Sequence, residues 1–92
     1  MTWEDFCRAP GQALDLLARQ ERVTIRARDR IELALTKFDP ASDEPPPLTV
    51  GASELRDGQE KARARVQAAI ERGEVVGISR FGWREAMIER VA

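Results

Sequence analysis

Two stretches of the chain carry the same alternation of apolar and polar positions. In residues 21–35, ERVTIRARDRIELAL, Val23, Ile25 and Ala27 fall on one face of an extended chain and Thr24, Arg26 and Arg28 on the other. Past a tip at Asp29-Arg30, Ile31, Leu33 and Leu35 resume the apolar face. A period of two interrupted by a polar tip predicts a half-buried β-hairpin, and Asp at the tip tolerates the left-handed backbone a turn needs. Residues 74–88, EVVGISRFGWREAMI, repeat the pattern. A shift of 53 positions puts Val23 on Val76, Ile25 on Ile78, Asp29 on Gly82, Leu33 on Ala86 and Leu35 on Ile88. Such self-similarity points to a duplicated supersecondary unit. Units of about 40 residues bury too little surface to stand alone, so the two are expected to share a core as a monomeric pseudo-dimer, or each to recruit a partner chain in a homodimer. The expected fold class is α+β: two helix–β-hairpin repeats packed together as a pseudo-dimer.

Each hairpin follows a helical pattern. Thr2 can cap a helix entered at Trp3-Glu4-Asp5. Proline suits a first turn and costs about 3 kcal/mol in a helix interior, so a main helix is expected to restart near Pro10. Ala13, Leu14, Leu16 and Leu17 then make a stripe broad enough to sit on a sheet. Trp3 and Phe6 are expected to pack as core at its entrance rather than stand out as an exposed hot spot. In the second half Leu48, Thr49 and Val50 predict a short strand. Ser53 is expected to cap the next helix, with Glu54 and Asp57 in its acidic first turn and Gly58 weakening its start. Leu55, Ala62, Val66, Ala69 and Ile70 form the stripe, and Arg72-Gly73 the stop. Leu55 lies twenty-three residues before Ile78, against nineteen from Phe6 to Ile25. That difference is about one helical turn, which keeps the apolar face in place. At the second tip Phe81 and Trp83 either tuck against the other repeat or face a partner. Packing is the expectation.

Between the halves, Asp39-Pro40 and Pro45-Pro46-Pro47 break both periods and predict an extended, semi-rigid spacer without a packed face. The organisation is therefore a first repeat over residues 1–38, a proline-rich linker over 39–47 and a second repeat over 48–92.

Charge changes this picture little. The chain carries 15 basic and 16 acidic residues, a net −1, so no global basic field draws it to nucleic acid. Thirteen of the fifteen basic residues are Arg, and Arg26, Arg28 and Arg30 cluster at one tip. Such a cluster is either a solvated face or a set of forked donors for phosphate. One Cys excludes an internal disulfide. No leader and no apolar run of membrane-spanning length is present, so a cytoplasmic location is expected.

With Ser53-Glu54-Leu55-Arg56, a helix, Gly73-Glu74-Val75-Val76-Gly77-Ile78-Ser79-Arg80-Phe81-Gly82 and closing Ala86-Met87-Ile88, the second half resembles the Phd/YefM antitoxins. That family carries a Ser-Glu-x-Arg helix start and a Gly-Glu-x-Val-x-Ile-Thr-Arg-x-Gly hairpin. Residues 1–36 look like a weaker copy, with Glu4-Asp5-Phe6, Leu14, Leu17 and Glu21-Arg22-Val23-Thr24-Ile25. The first copy departs from the pattern at Cys7, Ala27 and Asp29, where Arg, Arg and Gly are usual. In the second, Arg84 stands where proline is usual. The resemblance implies a dimerising α+β module that binds an operator and a cognate toxin. Arg56 and Arg80 are carried over as DNA contacts, and the local charge pattern adds Arg8, Arg26 and Arg28, each positioning the protein on phosphate without reading bases. The family's toxin-wrapping arm is expected to be missing, because the sequence stops four residues past Ile88.

Two function classes remain open from the sequence. One is an antitoxin-like protein of a type II toxin–antitoxin system, binding operator DNA, a toxin or both. The other is a non-enzymatic interaction module, using Phe81 and Trp83 or a groove between repeats. A variant of the first makes residues 48–92 a segment that orders on a toxin. The cap, helix stop and second hairpin pattern speak against it. Catalysis is not expected. His is absent, Cys7 therefore lacks a His base, and no phosphate loop or metal-ligand cluster stands out. Cys7 is read as a small buried hydrophobe, and neither cofactor nor metal is expected.

Overall fold

The structure is a computed structural model that describes residues 1–57 and 60–91, apart from the side chain of Asp29. Helices α1 (Trp3–Arg8) and α2 (Pro10–Leu17) precede strands β1 (Arg22–Arg26) and β2 (Glu32–Lys37). A link leads to β3 (Leu48–Gly51), α3 (Ala52–Arg56), α4 (Glu60–Glu71), β4 (Val76–Arg80) and β5 (Trp83–Arg90). The result is a small α+β fold with one five-stranded mixed sheet in the order β1-β2-β5-β4-β3. No helix among the described residues is long and apolar enough to cross a membrane.

Local chemistry explains most boundaries. Thr2 caps α1, its Oγ1 accepting from the Asp5 N–H at 3.2 Å. Pro10 opens α2, where its missing N–H costs nothing. The second half departs from expectation at its entrance. Ser53 lies inside α3, and the capping position belongs to Gly51, whose N–H donates to Glu54 Oε1 at 3.3 Å. The stripe from Leu55 to Ile70 is split between α3 and α4, and the weakening expected at Gly58 lies outside the described residues. At the far end of α4, Glu74 N–H donates to Ala69 C=O and Gly73 N–H to Ile70 C=O. Gly73 sits at φ +80. Those two bonds around a left-handed glycine satisfy carbonyls the helix end would otherwise orphan.

Both hairpins form, with different tips. The first is wider than a two-residue Asp29-Arg30 turn. A single 3-10 turn spans Arg28–Arg30, closed by Ala27 N–H to Ile31 C=O at 2.9 Å, and Arg30 takes φ 63. The second is tight: Phe81 (φ 55) and Gly82 (φ 79) are both left-handed, as a two-residue hairpin turn requires.

Register places the core. Val23, Leu35, Ile88, Val76 and Leu48 pair in sequence across all five strands. Ile25 and Leu33 form a parallel row, as do Ala86, Ile78 and Val50. All but the half-buried Leu48 are buried, and they form one cluster with Phe6, Leu14 and Leu17 from the first half's helices and Leu55, Val66 and Ile70 from the second's. The helices thus lie over one face of the sheet. The opposite face carries Arg22, Thr36, Met87, Gly77 and Thr49 in one row. Gly77 has a reason to be glycine, since a Cβ there would meet Thr49 Oγ1 at 2.7 Å.

The link is more structured than a bare spacer. Asp39 closes a turn, accepting from Ala41 N–H at 2.9 Å and Ser42 Oγ at 2.7 Å, and these bonds lower its carboxyl pKa. Pro46 is buried, so the proline tract does have a packed face.

Candidate functional site

Where a helix start meets a hairpin tip, the surface is concave, once in each half. The first cleft, about 570 Å³, is lined by Thr2, Trp3, Glu4 and Cys7 from the α1 region and by Arg26, Ala27 and Arg28 at the first tip. Glu60, Arg63, Ala64 and Gln67 of α4 complete it. A second cleft, about 550 Å³, is lined by Gly51, Ala52, Ser53, Glu54 and Arg56 around α3 and by Ser79, Arg80, Phe81 and Gly82 at the second tip. Pro10 and Gly11 of α2 close its far side. Each cleft therefore takes a helix start and a tip from one half and a helix from the other.

Of the expected DNA contacts, Arg26 and Arg28 are exposed in the first cleft and Arg56 and Arg80 line the second. Arg8, the exposed last residue of α1, lines neither. Arg80 is half-buried and heavily engaged. It donates to Glu85 Oε1 at 3.1 Å, Asp15 Oδ1 at 3.0 Å and the Gly11 carbonyl at 3.3 Å. The hydrogen bonds to Glu85 and then Asp15 raise its pKa further. As the Gly11 and Asp15 bonds tie the second tip to α2, this guanidinium also holds the halves together. Arg56 pairs with its neighbour Asp57 at 3.2 Å, with side-chain exposures of 62% and 56%. A pair so exposed contributes little, since water screens both charges.

Sequence reasoning missed Arg63. Its Nε and Nη2 donate to the Leu55 carbonyl at 3.1 and 2.7 Å, which fixes the side chain at the cleft wall. Its only sequence signal was its place 53 residues after Pro10, which lines the other cleft, but the two residue types share no chemistry.

Phe81 and Trp83 do not pack against the opposite repeat as expected. They are 87% and 75% exposed. The tight turn places them beyond the last core row of Ala86, Ile78 and Val50, where no buried row continues. Behind Trp83 a third concavity, about 430 Å³, holds Phe38, Pro40 and Thr49. There Arg84 stacks over the Phe38 ring at 5.0 Å and donates to Thr49 Oγ1 at 3.1 Å.

Cys7 touches the first cleft yet is only 1% exposed. Burial pushes its thiol up to about 11 from an ordinary 9.0, with Arg63 pulling the other way. Below pH 9 both folded and unfolded chains keep the proton. As pH rises from about 9 to 11 only the unfolded chain loses it, so stability falls by roughly 2–3 kcal/mol. Urea titrations from pH 8 to 11 should show this loss in the wild type and not in Cys7→Ala. Parallel profiles would refute a buried thiol.

A scan against protein-family models, a search of curated proteins and a search of solved structures each find no match for this chain.

Proposed function

We propose that the chain is an antitoxin-like regulator of the Phd/YefM type, in which one polypeptide supplies both halves of a DNA-binding pseudo-dimer. The observation that carries this reading is the equivalence of the two clefts. On the hairpin side, Arg26, Ala27 and Arg28 stand 53 residues before Ser79, Arg80 and Phe81. On the helix-start side, Thr2, Trp3, Glu4 and Cys7 stand 49 before Gly51, Ala52, Ser53 and Arg56. The four-residue difference is the extra helical turn of the second half.

Pairing within the sheet supports the same symmetry. Val23 pairs with Leu35 and Val76 with Ile88, and Leu35 pairs with Ile88 across the junction. Equivalent residues facing each other across antiparallel strands lie where a two-fold axis would pass. Thr2 bridges Arg26 in parallel as Gly51 pairs with Ser79. Two equivalent clefts on one rigid sheet would present paired contacts to duplex DNA, as two-fold readers do.

A protein-interaction module is the second reading, favoured by the exposed Phe81 and Trp83. Aromatic anchors of this kind dominate protein interfaces, and a cognate toxin would be one such partner.

Two measurements test the proposal. Light scattering after gel filtration should give a monomer, because the pairing that would join two chains is made within one. A mobility shift with the DNA upstream of the chain's own reading frame should appear at low salt and fade between about 50 and 200 mM. No shift at the lowest salt would leave the interaction module.

A further inference from the structure

The two clefts match in position but differ in how far their guanidiniums are already paired. In the first, Arg26 and Arg28 are exposed and form no ion pair with a described side chain. Arg63 is anchored by Nε and Nη2 on the Leu55 carbonyl, which leaves its Nη1 donors for a ligand. An arginine held in place loses less conformational entropy when it binds. Three guanidiniums face two carboxylates there, Glu4 and Glu60.

The second cleft holds two guanidiniums, and both are answered from within the chain. Arg80 is shared by Asp15 and Glu85. Arg56 sits beside Asp57, and Glu54 occupies the Gly51 N–H at the cleft's helix start. The Arg56 pair would open easily, but Asp57 and Glu54 would remain alongside to oppose an arriving phosphate. Where the first tip carries Arg28, the second carries Phe81.

We infer that duplex DNA is gripped one-sidedly, its backbone phosphates taken by Arg26, Arg28 and Arg63 of the first cleft while the second cleft is closed to phosphate. This rests on the DNA-binding reading above and departs from it in one respect: the fold is two-fold, the grip is not. A grip of three phosphate contacts gives log Kobs against log salt a slope of about −3, whereas two equal clefts would double it.

The test is fluorescence anisotropy with a labelled duplex of the upstream DNA, titrated between about 50 and 200 mM salt. Wild type is compared with the double variant R26A/R28A and with R56A. These residues are exposed, so thermal melts should show all three proteins folded. We expect R26A/R28A to lose about tenfold or more at low salt and to flatten the slope by about 2. For R56A the expected loss is less than twofold, with the wild-type slope. If R56A costs as much as the double variant, or neither costs anything, the one-sided grip is overturned and DNA binding stands. If the wild type binds no duplex at the lowest salt, both fall.

Discussion

Ile88→Ala is expected to lower the unfolding free energy by about 3–4 kcal/mol. Ile88 is fully buried and pairs with Leu35 on one side and Val76 on the other, so its side chain touches the row that joins the two hairpins. Truncation removes three carbons and leaves a space the sheet cannot close, because ladder hydrogen bonds hold β2 and β4 at fixed spacing from β5. Since small domains are stable by only about 5–15 kcal/mol, this one change should remove a large share. Met87→Ala is the control. Met87 is half-buried one position earlier on the opposite face of the sheet, so its loss should stay near or below 1 kcal/mol. Urea unfolding of both variants decides the matter. Equal and mild losses would mean that the sheet is not closed through the β2–β5 junction.

Phe6→Ala should cost a similar amount, about 3–5 kcal/mol. The six residues of α1 are too few to be helical on propensity alone, so the helix exists because its buried face is held. Phe6 is the largest fully buried side chain on that face, with the half-buried Trp3 ring tilted against it at 5.7 Å between ring centroids. Removing the ring should undock α1 and expose Cys7, the next residue. The expected result is a lower urea midpoint together with faster alkylation of the thiol under native conditions. A midpoint shift without faster alkylation would mean that α1 stays docked and the loss is a cavity alone. Unchanged stability would contradict the core assignment.

Much of the secondary structure was legible because it is written in local chemistry. Alternation at Val23, Ile25, Leu33 and Leu35, and again at Val76, Ile78, Ala86 and Ile88, states which side chains share a face whatever the strand later pairs with. Thr2, Pro10 and Gly73 act within one helical turn of themselves, so their roles could be read without knowing the fold. Ser53 misled for the same reason. A Ser before an apolar stripe is a sound cap signal, but β3 runs straight into α3 and leaves Gly51 at the capping position. The half of the site built from Arg26 and Arg28 was legible as a charge cluster. Arg63 was not, since nothing in α4 announces that its first turns lie against the tip of the other half.

The sequence alone determined the periods, the faces and the stops: an α+β chain of helices followed by hairpins, with its apolar residues already sorted to one side. Tertiary structure decided what that sorting could not. It joined the hairpins through Leu35 and Ile88, placed Arg80 between Asp15 and Glu85, and left Phe81 and Trp83 outside the core. Alternation marks a buried face but says nothing about which strand edge meets which. That choice depends on packing four helices from both halves over one sheet, and the same packing brings residues fifty or more positions apart into a single cleft.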